Sequence, residues 1–180
     1  MSTRRIVAAV LASLATTVAL LPGTPAHAVA GDGWYRIVNI KSGLALQGRT
    51  DQNGVGVIQT YDTSSLANGG YTDARQDWLK VHISGSNYAF RNAAANWAAL
   101  TVSSGASSTT KPIIQWTYSA SQDQVWELQS GGSANVFVLR NPASNKCLAI
   151  PNGSTATGVQ AIIWTCNGGQ EQKWRVIDNA

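Results

Sequence analysis

The sequence predicts an all-β fold of twelve strands, arranged as three four-stranded repeats about a pseudo-threefold axis. Three observations predict it. A Gln-x-Trp signature occurs three times, as Gln76-Asp77-Trp78, Gln124-Val125-Trp126 and Gln172-Lys173-Trp174, and its tryptophans are spaced 48 and again 48 residues apart. Equal intervals of one signature mark a repeat architecture. Between signatures the apolar runs are short, rich in Val, Ile and aromatics, and broken by Gly, Asn and Ser. Four such runs per repeat leave about 12 residues for each strand and turn, the spacing of sandwiches and barrels. No stretch of the chain after the first 28 residues carries a long amphipathic helical pattern.

The repeats span about residues 33–83, 87–130 and 135–178. Each opens with an aromatic and an Asn on an extended run: Tyr35 to Asn39, Tyr88 to Asn92, Phe137 to Asn141. A short apolar segment follows, at residues 44–46, 99–102 and 147–150, and then a polar loop. The next strand ends in an aromatic: Tyr61, Trp116 or Trp164. Gln-x-Trp and a closing strand complete the unit. The first copy has extra residues at 64–70, expected as a longer surface loop.

Residues two apart on a strand face the same side, so Gln and Trp of each signature can both point inward. The indole offers large buried area. The Gln amide can satisfy backbone groups that a turn leaves unpaired. Trp78, Trp126 and Trp174 are therefore expected to share a core around the axis, and Gln76, Gln124 and Gln172 fit a scaffold role better than a ligand role.

The chain opens with the grammar of a secretory signal peptide: Arg4 and Arg5, an apolar run over residues 6–21, Pro22 and Pro25, then Ala26-His27-Ala28. The run is short for a bilayer span of about 20 residues. The expected leader is residues 1–28, and the expected mature domain is residues 29–180, secreted and extracellular. Without Arg4 and Arg5 the chain has 11 basic and 9 acidic residues, a formal charge of +2. So small and scattered a charge gives no argument for nucleic acid or a membrane, and neither nucleic-acid binding nor membrane insertion is expected. Cys147 and Cys166 are the only cysteines. In an exported chain two cysteines most often form one disulfide. A metal site is the rival reading, weakened by the lack of a nearby His.

These features resemble the ricin-type lectin family, a β-trefoil carbohydrate-binding module, over about residues 33–178. The third copy carries the resemblance best, with Asn145-Lys146-Cys147-Leu148 and Trp164-Thr165-Cys166-Asn167-Gly168-Gly169 before Gln172-Lys173-Trp174. The resemblance implies a six-stranded barrel capped by three hairpins and a Cys147–Cys166 disulfide. It also implies sugar sites of a recurring design. An Asp after the Cys-Leu position accepts hydroxyl hydrogen bonds, a Gln lies two residues before an aromatic that stacks on the sugar, and a polar residue precedes Gln-x-Trp.

Carried across, the first copy has Gln47 at the Asp position, Gln59 and Tyr61 as Gln and aromatic, and Arg75 and Gln76 to close. The second has Thr101, Ile114, Trp116, Asp123 and Gln124. The third has Ala149, Ile162, Trp164, Glu171 and Gln172. No copy keeps the Asp. Asp123 and Glu171 are candidate replacement carboxylates, and the first copy, with the most polar matches, ranks first as a site. Tyr61, Trp116 and Trp164 also fit a plainer reading as half-buried strand aromatics. Trp97, in a loop of the second copy, either extends a binding face or covers the bottom of the barrel.

Catalysis finds no support. His82 is the only histidine after residue 28 and alternates with Val81 and Ile83 as on a strand; a Ser-His-Asp arrangement has no local partners. No catalytic residue, metal site or cofactor is expected. The expected function is a secreted module that binds polysaccharides or cell-surface glycans. The alternative is a trefoil scaffold that has lost sugar binding and binds or inhibits a protein, such as a protease.

Overall fold

The computed structural model describes residues 33–49, 52–63, 73–103 and 110–178. The expected leader over residues 1–28 and the expected loop at 64–70 lie outside the described residues. Short apolar runs bounded by turn residues become twelve strands: β1 (Gly33–Asn39), β2 (Ala45–Gln47), β3 (Ile58–Thr60), β4 (Trp78–Ser84), β5 (Asn87–Asn92), β6 (Ala99–Val102), β7 (Lys111–Trp116), β8 (Trp126–Ser130), β9 (Val136–Asn141), β10 (Lys146–Ala149), β11 (Ile162–Thr165) and β12 (Lys173–Asp178).

Antiparallel pairing in the order β1–β4–β5–β8–β9–β12 and back to β1 closes a six-stranded barrel. Closure removes the unpaired edges that an open sheet would expose. The hairpins β2–β3, β6–β7 and β10–β11 cap it. They meet on the axis through a ring of backbone bonds: Val57 N–H to Ile113 O (2.9 Å), Ile113 N–H to Ala161 O (2.8 Å) and Ala161 N–H to Val57 O (2.9 Å). All three residues are fully buried. Each hairpin thus supplies the hydrogen-bond partner that its neighbour lacks.

The core is threefold in composition. Trp78, Trp126 and Trp174 are fully buried, packed with Ile37, Phe90 and Leu139 of the barrel and Leu46, Leu100 and Leu148 of the hairpins. Each indole Nε1–H donates to the carbonyl of one of those leucines: Trp78 to Leu46 (3.0 Å), Trp126 to Leu100 (2.9 Å), Trp174 to Leu148 (3.1 Å). A tryptophan can be buried completely only when its N–H is satisfied. These bonds also tie each hairpin to the barrel.

The repeated Asn has a structural use. Asn39, Asn92 and Asn141 are buried. Their Nδ2 groups donate to backbone carbonyls around the Gln-x-Trp turns, as in Asn92 to Arg75 O (2.8 Å), Asn39 to Glu171 O (3.0 Å) and Asn141 to Val125 O (2.9 Å). Their Oδ1 atoms accept from backbone N–H groups in the turns that follow. One side chain therefore joins the end of one repeat to the start of the next. Cys147 and Cys166 form the disulfide expected from the resemblance, with a Cα–Cα distance of 5.1 Å.

Candidate functional site

Strand register decides which side chains meet at each repeat. The indole-bonded leucines fix the equivalences. Leu46 faces Gln59, Leu100 faces Gln115 and Leu148 faces Ile163. One residue further along β2, β6 and β10, Gln47 faces Ile58, Thr101 faces Ile114 and Ala149 faces Ile162. One residue back, Ala45 faces Thr60, Ala99 faces Trp116 and Cys147 faces Trp164.

This register corrects the sequence expectation for the first repeat. Tyr61 is not the counterpart of Trp116 and Trp164; Thr60 is. Tyr61 corresponds to Thr117 and Thr165, and the Gln-x-Trp amides confirm it. Gln76, Gln124 and Gln172 donate from Nε2 to the carbonyls of Tyr61 (2.8 Å), Thr117 (2.9 Å) and Thr165 (2.8 Å). A one-residue slip on a strand sends a side chain to the opposite face, so Tyr61, although 73% exposed, projects away from the position where the other repeats hold an indole.

Gln59 is likewise reassigned. It corresponds to Gln115, and both are fully buried. Gln59 Nε2 donates to the carbonyls of Ser154 (2.9 Å) and Ala156 (2.8 Å), and Gln115 Nε2 to that of Gln52 (3.1 Å). Each fastens the hairpin loop of a neighbouring repeat. The pair Ile58-Gln59 and Ile114-Gln115 is the sequence signal for this register, and aligning the copies on their aromatics instead hides it.

Gln76, Gln124 and Gln172 are scaffold rather than ligands. All three are fully buried. Gln124 Oε1 accepts from Ser119 N–H (2.9 Å) and Gln172 Oε1 from Asn167 N–H (2.9 Å), while Gln76 Oε1 takes Thr63 N–H (3.1 Å) and the Arg36 guanidinium. Both ends of each amide are used to shape the loop after the stacking position. Gln47 also turns inward, accepting from Gln76 Nε2 (3.2 Å), and Thr101 Oγ1 accepts from Gln124 Nε2 (3.2 Å). Neither side chain at the family's Asp position is a spare acceptor.

Among the described residues, each repeat has an open pocket, of about 400 Å³ in the third, 410 Å³ in the second and 360 Å³ in the first. In the third, Trp164 stands with Ile162, Ala149, Asn167 and Glu171. Glu171 is placed by its turn and by Asn167, whose Nδ2 donates to Oε1 (3.2 Å). In the second, Trp116 stands with Ile114, Thr101 and Asp123; Asp123 accepts from Ser121 Oγ. Each pocket is finished by a neighbouring repeat, through Thr110 in the third and Gly54 in the second. Gly54, beside the Trp116 ring, has φ of +83°, a turn conformation that suits glycine.

The first pocket differs in kind. Among the described residues it is lined by Gln47, Ile58, Arg49, Arg75 and Gly158, none of them aromatic. Arg75 occupies the position of Asp123 and Glu171, and its Nη2 bonds Asp73 at 2.6 Å. The hydrogen bond from Arg75 holds the Asp73 carboxyl below the usual carboxylate range. Among the described residues, the first pocket, ranked foremost from sequence, thus has neither stacking plane nor free carboxylate.

Trp116 and Trp164 are 46% and 40% exposed, so each offers a ring face to solvent. An indole plane beside a carboxylate and an isoleucine suits a partner with an apolar face and a polar rim. Among the described residues, no group of three His, Cys, Asp or Glu side chains is placed to hold a metal ion, and no helix is long and apolar enough to cross a membrane.

A closed six-stranded barrel with three capping hairpins and a buried Trp per repeat defines a β-trefoil. The chain matches the ricin-type β-trefoil lectin domain-like family over residues 26–116 and 122–180, and it belongs to that family. Among solved structures it is similar to ThreeFoil, a designed 3-fold symmetric protein, at 30% identity and a TM-score of 0.73, covering 82% of this chain and 99% of that one. It is similar in fold to the Macrolepiota procera ricin B-like lectin solved in complex with lactose, at 18% identity and a TM-score of 0.66 over 83% of this chain and 98% of that one. It also resembles in fold part of an exo-β-1,3-galactanase from Clostridium thermocellum, at 22% identity and a TM-score of 0.72; 81% of this chain aligns with 30% of that enzyme. No curated protein matches the sequence.

Proposed function

We propose that this protein is a secreted, non-enzymatic carbohydrate-binding module with two working pockets, at Trp116–Asp123 and Trp164–Glu171. One observation carries the reading: two equivalent pockets pair an exposed indole with a carboxylate, while the first pocket has neither among its described residues. The indole covers the C–H face of a sugar ring, and the carboxylate accepts from its hydroxyls. Charge-assisted acceptors are roughly twice as strong as neutral ones, so Asp123 and Glu171 stand in for the family Asp that Thr101 and Ala149 replace. The family membership and the lactose complex of a structural neighbour support saccharides as the ligand class. Export rests on the leader grammar of residues 1–28.

The test is retention of the mature protein on insoluble polysaccharides and immobilised glycans, with free monosaccharide as competitor. Retention is expected to be reversed by sugar and to fall on Trp116→Ala and on Trp164→Ala, while Tyr61→Ala leaves it unchanged. The absence of an Asp at Gln47, Thr101 and Ala149 favours a second reading, a scaffold whose loops bind a protein. Failure to bind any glycan would overturn the first reading and turn the search to protease inhibition and secreted partners.

A further inference from the structure

Trp97 lies outside the hairpin pockets and is held in an unfavourable backbone conformation. In the turn between β1 and β2 the left-handed position is Gly43, and between β9 and β10 it is Asn145. Both residue types take positive φ at little cost. The β5–β6 turn puts Trp97 there instead, at φ +63°, directly after Asn96 at φ +48°. A bulky side chain in that region is strained, and such strain gathers at functional sites. Burial does not offset it, because Trp97 is 43% exposed.

The neighbours of Trp97 make a patch. Trp34, Leu79 and Arg91 face one another in a cross-strand row on β1, β4 and β5. The Trp34 and Trp97 ring centroids lie 5.5 Å apart. The Arg91 guanidinium lies over the Trp97 ring at 5.6 Å and over the Tyr118 ring at 4.8 Å. Its Nε donates to Trp97 O at 3.0 Å.

The third repeat supplies an internal comparison. Arg140 occupies the equivalent place; its Nε donates to Asn145 Oδ1 (2.7 Å), and its Nη1 pairs with Glu127 (2.7 Å), the residue opposite on β8. Opposite Arg91 stands Leu79. Among the described residues, the terminal guanidinium nitrogens of Arg91 have no hydrogen-bond partner. The same arginine is neutralised in one repeat and left open in the other.

A guanidinium fixed by two rings and a carbonyl, with its fork free, is preorganised for a carboxylate. Trp97 beside it presents a plane for a sugar ring. We propose that this patch is a further saccharide site, separate from the two hairpin pockets, which takes a uronic acid: the carboxylate on Arg91, the ring on Trp97 and Trp34. The neutral-sugar reading of the pockets can fail without affecting it.

The probe is an oligogalacturonide, with its methyl ester as the uncharged control, titrated calorimetrically into the mature protein. The acid is expected to bind at least about tenfold more tightly than the ester, and Arg91→Gln should bring it down to the level of the ester. Trp97→Asn installs the residue that the third repeat uses; it should weaken acid binding by a similar factor with a thermal midpoint unchanged or raised. The Trp116→Ala/Trp164→Ala double variant should still bind the acid. Equal binding by Arg91→Gln and the wild type, loss of acid binding in the double variant, or no acid binding at all would overturn the proposal. A lowered midpoint in Trp97→Asn with acid binding intact would also overturn it, making Trp97 a structural cover. Neutral-polysaccharide retention, read in parallel, reports on the hairpin pockets alone.

Discussion

At the scale of single residues, position in the register outweighs residue type. Glu171 and Arg75 occupy equivalent places, yet one lines its pocket as a carboxylate held by Asn167, and the other is bonded to Asp73. Glu171→Gln keeps the shape and removes the charge; affinity for a sugar in the third pocket is expected to fall by about 5- to 100-fold, the loss of one charge-assisted acceptor, as read by calorimetry in a Trp116→Ala background. Asp73 makes a different prediction. Its carboxyl is held low chiefly by the hydrogen bond from Arg75. A folded-state value below the unfolded one gives stability that is present above the ordinary carboxylate value and is lost as pH falls through the lowered one. Asp73→Asn should therefore flatten the acid limb of the stability curve between about pH 2 and pH 5, seen in thermal melts across that range. Because Arg75 is half exposed, the effect is small.

Whole elements depend on a few buried amides. Each Gln-x-Trp turn has a Gln whose two ends bond backbone groups of the loop after β3, β7 or β11. Gln172→Ala leaves Thr165 O and Asn167 N–H without that partner, and is expected to cost about 1–3 kcal/mol in denaturant unfolding. The disulfide acts on the same loop, closing a separation of 19 residues between β10 and the end of β11. Cys147→Ser with Cys166→Ser should destabilise by about 3 kcal/mol. Both changes should also loosen Trp164, two residues from Cys166, and weaken the third pocket more than the second. Sequence spacing made the scaffold role of these glutamines legible, since one Gln beside every core Trp serves the fold before it serves a ligand.

Across the whole molecule, the three hairpins close on one another through the Val57–Ile113–Ala161 ring, and every pocket borrows a loop from another repeat. No repeat can form its site alone. Two pockets on one rigid body favour multivalent ligands, because a second contact is made at high effective concentration. Trp116→Ala alone should therefore reduce retention on a polysaccharide by a much larger factor than it reduces monosaccharide affinity, measured side by side by pull-down and calorimetry. Equal factors would mean that the pockets act independently.

The sequence by itself determined the threefold β architecture, the core tryptophans and the capping glutamines, because each is a local pattern repeated at a constant interval. It also singled out Trp116, Trp164, Asp123 and Glu171 as candidates, through the resemblance to the ricin-type family's site pattern. Only the tertiary structure decided that Tyr61 and Gln59 stand out of place, that Gln47 turns inward, and that Arg75 of the first pocket is bonded to Asp73. Pairing register has a period of two residues, and a copy that reads well along the chain can still present its side chains to the other face. The same holds for the patch at Trp97. Trp34, Leu79 and Arg91 come from three strands, and nothing in their order along the chain shows that the barrel will set them side by side.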